Sequence, residues 1–396
     1  MTKKLWSRNR PMDFWQCSPP LIGELWEKAF QLSLPTLNLA QSPSNIDELL
    51  ELTLGETRFG PDHWTLSLPK KIYYLLKPIL PRSITRIFRK MYRSIEKGDP
   101  NTHWPIESRY VNFLWKIMAN LLQEVPDHEL HIKPFWPNSF RFSFVLTHDV
   151  ETEVGQRYIR SVADLEESLG FRSSFNFVPE GYRIDMDLVD ELRQRGFEVG
   201  IHGLKHDGKL YNSHSKFLKK AAKINRFQKE FGSVGFRSPL TLRNPYWMQS
   251  LDIEYDLSFF DTDPFEPIPG GTMSIWPFFI GRFVELPYTL VQDYTLVEIM
   301  GETTPRLWLN KVDFIEAHYG MALVNSHPDY LHKPVSLEIY KGFLTSMKER
   351  DGYWHALPRD VAHWWNLRNA VSSDFEISGH ILNKVILKGN EISIVL

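Results

Sequence analysis

The sequence predicts an α/β protein built on a closed or nearly closed (β/α) barrel, with a mainly helical region before it and a short β-hairpin after it. Three observations carry this. From Arg141 onward, short apolar runs alternate with longer amphipathic segments, the pattern of βα units feeding a mostly parallel sheet. Residues 1–139 instead carry helix-like periodicity broken by Pro-rich joints, at Ser18-Pro19-Pro20, Pro78-Ile79-Leu80-Pro81 and Lys133-Pro134-Phe135-Trp136-Pro137. From Phe375 to Leu396 apolar and polar residues alternate around Lys388-Gly389-Asn390, which reads as a hairpin. The expected division is 1–139 for the helical region, 140–370 for the barrel and 371–396 for the hairpin tail.

Within the barrel the expected order begins with a strand at Phe142–Thr147, a helix at Arg157–Leu169, a strand at Ser173–Val178, a helix at Met186–Arg195 and a strand at Glu198–Ile201. It continues with a helix at Ser215–Phe231 and strands at Val234–Phe236, Leu257–Phe260 and Phe283–Leu286. A helix at Pro305–Tyr319, a strand at Met321–Asn325 and a helix at Leu337–Arg350 complete it. So many βα units in so short a chain suit a barrel better than an open sheet. The pairs Tyr353-Trp354 and Trp364-Trp365 fall after the last of these elements and are assigned to packing.

Composition excludes several function classes. The 396 residues hold 46 Lys and Arg against 48 Asp and Glu, a net charge of −2, so no global electrostatic case exists for binding nucleic acid. Cys17 is the single cysteine, which excludes an internal disulfide framework and any Cys-rich zinc module. A metal would have to be held by His and carboxylates. The first residues, MTKKLWSRNRPMDFW, show no signal-peptide core, and no stretch has the run of apolar residues needed to span a bilayer. A cytoplasmic location is the expectation.

Four short motifs stand at the C-terminal ends of expected strands, the end where barrels place their chemistry. The first is Thr147-His148-Asp149-Val150-Glu151, in which Asp149 and Glu151 point to one side of an extended chain. The second is His202-Gly203-Leu204-Lys205-His206; two imidazoles four apart on one face of a helical turn can chelate a cation. It is not the His-Glu-x-x-His of zincins, because Gly203 stands where that motif carries its base. The third is Gly235-Phe236-Arg237-Ser238-Pro239 and the fourth Val324-Asn325-Ser326-His327-Pro328. Taken singly, each has a plainer reading as a cap, a surface pair or a loop histidine; their shared position points to one pocket.

Taken in order, these residues resemble the polysaccharide deacetylase family, the NodB-homology domain of carbohydrate esterase family four, over about Phe142–Tyr330. The resemblance implies a deformed (β/α) barrel of the NodB-homology type and a hydrolase that removes an N-acyl group, N-acetyl by expectation, from an amino sugar of a glycan or lipid-linked glycan precursor. It implies Asp149 as general base and Glu151, His202 and His206 as ligands of Zn2+ or another divalent transition metal. Arg237 would orient the base, the Leu240 N–H would help bind the oxyanion, and His327 would act as general acid. A carboxylate in Asp256–Asp263, Asp261 among them, would orient His327. Three positions depart from the family pattern, with Glu151 for an Asp, Gly203 for a hydroxyl residue and Leu240 for a Tyr. Two alternatives stay open: a non-catalytic glycan- or partner-binding barrel, and a metal-free amidohydrolase acting on a small cyclic amide. The usual His-x-Asp/Glu spacing of a non-haem iron oxygenase is absent.

One further feature lies in the N-terminal region. Lys70, Lys71, Lys77, Arg82, Arg86, Arg89, Lys90, Arg93 and Lys97 are accompanied by one acid, Glu96, while Ile84, Ile87, Phe88, Met91, Tyr92 and Ile95 recur at helical steps. The apolar stripe could pack on the barrel. The alternative is that the basic face meets anionic lipid headgroups, placing the protein peripherally at the inner membrane face.

Overall fold

The computed structural model describes residues 5–61, 63–66, 103–370, 382–388 and 391–395. The basic stretch Lys70–Lys97, the Pro78–Pro81 joint and the Gly389-Asn390 turn lie outside these. The N-terminal region is mainly helical, with helices at Pro11–Trp15, Gly23–Ser33, Ile46–Leu52 and Arg109–Glu124. It also contributes two short strands, β1 (Cys17–Ser18) and β2 (Glu129–Ile132).

The barrel strands follow: β3 (Phe142–Val150), β4 (Ser174–Phe177), β5 (Glu198–His202), β6 (Gly235–Arg237), β7 (Tyr255–Asp256), β8 (Phe278–Ile280), β9 (Phe283–Glu285), β10 (Met321–Ser326) and β11 (Tyr353–His355). Their order in space is β10-β3-β4-β5-β6-β7-β9-β8, with β11 beside β3. All pairings are parallel except β8 with β9. The chain beyond β9 reaches the opposite margin through one bridge, Leu290 to Val324, while the bridge from Phe260 to Tyr288 prolongs the pairing of β7 with β9. The result is the expected deformed barrel. Every residue of β3 is buried, as befits a parallel strand covered on both faces, and this is why it reads as an almost continuous apolar run.

Most expected elements fall within a few residues of their places. The strand expected at Leu257–Phe260 is the exception: the ladder holds only Tyr255–Asp256, because the chain beyond turns into side-chain and loop contacts at Ser258 and Phe260. Two elements were not anticipated after Arg350, β11 and a helix at Pro358–Arg368. Trp364 and Trp365 in that helix are buried, in keeping with packing.

The core runs without interruption from the N-terminal region into the barrel. Phe14 packs edge-on against Trp276 with ring centroids 4.8 Å apart, and Phe135 stacks on both Trp276 and Tyr319. Burying one such ring contributes roughly 2–3 kcal/mol. Glu56 reaches Arg243 through Nε at 2.9 Å and Nη2 at 2.5 Å, both side chains being buried. The tail forms the expected hairpin, β12 (Asn383–Lys388) with β13 (Glu391–Val395). It does not stand alone: β12 pairs with β2 and β2 with β1, giving a second, four-stranded sheet. Among the described residues, no helix is long and apolar enough to cross a membrane.

Candidate metal centre and its surroundings

The mouth of the barrel gathers the predicted residues from four strand ends. Asp149 lies in β3, Glu151 one residue past its end, His202 closes β5, Arg237 closes β6 and His327 follows β10. Tyr182 Oη donates to Val150 O at 2.7 Å, and Asp329 accepts from the Glu151 N–H at 2.9 Å and from Thr152 Oγ1 at 2.5 Å. Thr152 in turn caps the helix at Glu153–Leu169, an arrangement worth about 1 kcal/mol. The loop that carries Glu151 is therefore held from both sides.

His202 and His206 sit 5.3 Å apart between ring centroids, but not on a helical turn as expected. The chain reverses through Gly203 at φ +65°, where a Cβ would also stand 2.4 Å from Pro239 Cγ. Any side chain at this position would clash and be strained, which explains the departure at Gly203. His206 Nε2 then lies 3.1 Å from Glu151 Oε1.

The donor set fits a metal. His202 Nδ1 stands 3.2 Å from the Arg237 carbonyl oxygen; a carbonyl only accepts, so Nδ1 carries the hydrogen and Nε2 keeps its lone pair. That Nε2 is buried with no hydrogen-bond partner, a state costing about 1–3 kcal/mol if nothing takes the lone pair. Burial pushes the His202 pKa down to about 4 against the pull of Asp149, so the ring is neutral at pH 7. One ligand atom each from Glu151, His202 and His206 lies within 4.8 Å of the others. Two imidazoles and one carboxylate leave a coordination position open, as catalytic zinc sites do.

Asp149 sits beside this group in a polar cradle. Its Oδ1 accepts from Arg237 Nη1 at 3.2 Å and Asn176 Nδ2 at 3.1 Å, and its Oδ2 from Asn325 Nδ2 at 2.9 Å. Burial alone would raise the Asp149 pKa, but Arg237, followed by His202 and His327, holds the carboxyl well below the usual range. Arg237 is itself locked by Leu257 O at 2.9 Å, Thr147 Oγ1 at 3.0 Å and Asn325 Oδ1.

His327 faces both carboxylates, its Nε2 standing 4.0 Å from Asp149 Oδ2 and 4.0 Å from Glu151 Oε1. Its Nδ1 lies 2.7 Å from Asp293 Oδ1, and its backbone N–H donates to Asp293 Oδ2 at 2.9 Å. Burial works against the charged ring, yet Asp293, with Glu151 and Asp149, raises its pKa to about 10. The carboxylate that contacts His327 is thus Asp293 and not Asp261. Asp261 is buried against Lys311, with Nζ to Oδ2 at 2.7 Å; the cation it neutralises belongs to the helix at Arg306–Ala317, so it is committed elsewhere. Leu240 lies in the left-handed region at φ +58° in the turn after Arg237, and its side chain packs toward Leu66, Leu242 and Ile268.

Four contributors carried no assigned role in the sequence reading: Asn176, Asn325, Asp293 and Asp329. Asn325 stands inside a quoted motif and Asp329 two residues past His327, so proximity to His327 could have drawn attention to both. Asp293 opens a short helical stretch that none of the motifs includes, and offered no local signal.

No family model matches the chain, and no curated protein matches it. Among solved structures it is similar to a protein provisionally described as a polysaccharide deacetylase from Mycobacterium smegmatis, at 17% identity over 60% of this chain and 95% of that one, with a TM-score of 0.50. A Puue allantoinase shares 15% identity over 59% and 93%, with a TM-score of 0.49. A second protein so described, from Pseudomonas aeruginosa PAO1, shares 15% over 59% and 94%, also at 0.49. At 17% identity the first of these likenesses speaks to fold alone: this is the deformed barrel of the NodB-homology type.

Proposed function

We propose that this barrel is a metal-dependent hydrolase that removes an N-acyl group, N-acetyl by preference, from an amino sugar of a glycan or lipid-linked glycan precursor. The observation that carries the reading is the orphaned Nε2 of His202 beside Glu151 and His206, with Asp149 and His327 standing close on the same mouth. The orphaned lone pair argues against the metal-free alternative. It also argues against a purely binding barrel, which has no use for an unsatisfied buried imidazole.

A divalent transition ion, zinc by the N and O donor set, would be held by Glu151, His202 and His206 and would supply Lewis acidity and a water of lowered pKa at neutral pH. Asp149 accepts the proton of the attacking water at a carboxylate that Arg237 keeps ionised. The Leu240 N–H donates to the carbonyl oxygen as charge gathers there, a contribution of about 3–4 kcal/mol for one well-placed donor. His327 gives its Nε2 proton to the amine as the C–N bond breaks, because an unprotonated amine leaves poorly. Acetate and the free amino sugar result. The anionic membrane contact read from Lys70–Lys97 suits a lipid-linked substrate.

The test is metal analysis of the purified protein combined with acetate release from N-acetylated oligosaccharides. About one equivalent of bound metal and acetate release abolished by a chelator support the reading. A metal-replete protein that releases no acyl group from any N-acylated amino sugar would reject it.

A further inference from the structure

The loop and helix that follow β5 carry a surface that hydrolysis does not use. Between Gly203 and Lys220 the one acid is Asp207. Lys205, Lys209, Lys216 and Lys219 are exposed and form no ion pair among the described residues. Leu218 stands among them at 44% exposure, one residue from the buried Phe217 that anchors the helix at His214–Phe231. Nearby, Tyr246 is 40% exposed and lies 6.4 Å from the Trp64 ring. The half-buried Trp247 stacks on Tyr211 at 6.2 Å and approaches His214 at 5.2 Å.

Basic side chains beside amphipathic Tyr and Trp and an exposed Leu form the composition that suits a membrane interface. Lysines meet headgroup phosphates, while ring bodies enter the boundary layer with their polar tips in water. Two placements favour a bilayer over other occupants. His206, one of the candidate metal ligands, belongs to the same loop as the exposed Lys205 and Lys209, which ties this surface to the barrel mouth. Leu66 packs with Leu242 and Ile268, against which Tyr211 also packs. Leu66, the last described residue before the basic sequence Lys70–Lys97, therefore stands at the edge of this same surface.

We propose that this surface, Lys205, Lys209, Lys216 and Lys219 with Leu218, Tyr246 and Trp247, docks on an anionic lipid bilayer and turns the catalytic mouth toward it. The proposal builds on the lipid-linked reading above and is tested without catalysis. Full-length protein is sedimented with vesicles of phosphatidylcholine alone and of phosphatidylcholine with about one third phosphatidylglycerol, at low and moderate salt. Wild type should bind the anionic vesicles only, and less as salt rises. Lys216→Gln/Lys219→Gln should weaken binding about fivefold per lysine, and Leu218→Gln should weaken it further, with thermal midpoints unchanged because all three side chains are exposed.

Equal binding to both vesicle types, or variants that bind like wild type, would overturn the proposal, the latter assigning any binding to Lys70–Lys97 alone. Competition by inorganic phosphate at constant ionic strength would also overturn it, since it would mark a discrete phosphate site. Acetate release from a soluble N-acetylated oligosaccharide is measured on the same samples. Vesicle binding without it would reject the hydrolase reading and leave the docking surface standing; release without vesicle binding would do the reverse.

Discussion

Gly200 has no side chain where Asn176 needs the space: a Cβ on Gly200 would stand 2.0 Å from Asn176 Oδ1, and Asn176 Nδ2 donates to Asp149 Oδ1 at 3.1 Å. The missing methyl in β5 thus sets the position of the Asp149 carboxylate, the proposed proton acceptor, in β3 through a residue of β4. Gly200→Ala should push the amide away from Asp149 and lower kcat by about 10- to 100-fold, at a stability cost of about 1–3 kcal/mol. Bound metal should stay near wild type. Steady-state kinetics of Gly200→Ala, Asn176→Ala and the double variant check the route. If the single losses simply multiply in the double variant, the two residues do not act through one contact.

The two carboxylates at the end of β3 should separate by experiment. Asp149→Asn keeps the ligands and should retain metal while losing most turnover, because an amide cannot take the proton of water. Glu151→Gln should lower metal affinity first, as should His202→Ala and His206→Ala, since a three-ligand site that loses one holds the ion poorly. Metal content after dialysis, set against acetate release, makes the comparison. Equal retention in Asp149→Asn and Glu151→Gln would undo this division of roles.

The sequence made this much legible because strand ends are marked by a change of chemistry. Apolar runs end in His, Asp, Glu or Arg, and βα topology then carries Asp149, Glu151, His202, Arg237 and His327 to one face before any distance is known. What it missed depends on contact rather than pattern. Asp293 belongs to none of the motifs read from the sequence, which points to the carboxylates of Asp256–Asp263 instead; only packing shows that Lys311 already occupies Asp261. Spacing by four predicts a helical turn at His202–His206 but cannot distinguish it from a bend at Gly203, whereas Pro239 behind that glycine can. The pairing of the hairpin with β2 joins residues roughly 250 positions apart in sequence, beyond the reach of any local signal.

Asp293 is the second test of contact over pattern. Both its oxygens are engaged by His327, one at the ring Nδ1 and one at the backbone N–H, so it fixes the rotamer and the tautomer that presents Nε2 to the site. Asp293→Asn should lower kcat by about 10- to 100-fold, with KM and metal content near wild type. Asp261→Asn should leave kcat much closer to wild type and act on thermal stability, because it strands Lys311. The reverse ranking in kcat would return the orienting role to Asp261.

The last test concerns Glu198 at the start of β5, which is 3% exposed. Burial raises its pKa to about 7, against the opposing hydrogen bonds from Tyr255 Oη at 2.8 Å and the Arg359 N–H at 3.1 Å. In the unfolded chain the carboxyl titrates near its ordinary 4.5. Below that value both states hold the proton and folding loses nothing. Between 4.5 and about 7 the unfolded chain has released the proton and the folded protein still holds it, so stability falls as pH rises. Above about 7 the loss is complete, at on the order of 3 kcal/mol. Glu198→Gln stays neutral throughout, keeps an oxygen for the Arg359 N–H and offers an amide hydrogen to Tyr255. Urea unfolding at a series of pH values should therefore show the variant matching wild type at the acid end of this window and exceeding it at the alkaline end. Parallel curves for the two proteins would mean that Glu198 ionises in the folded state as readily as in water.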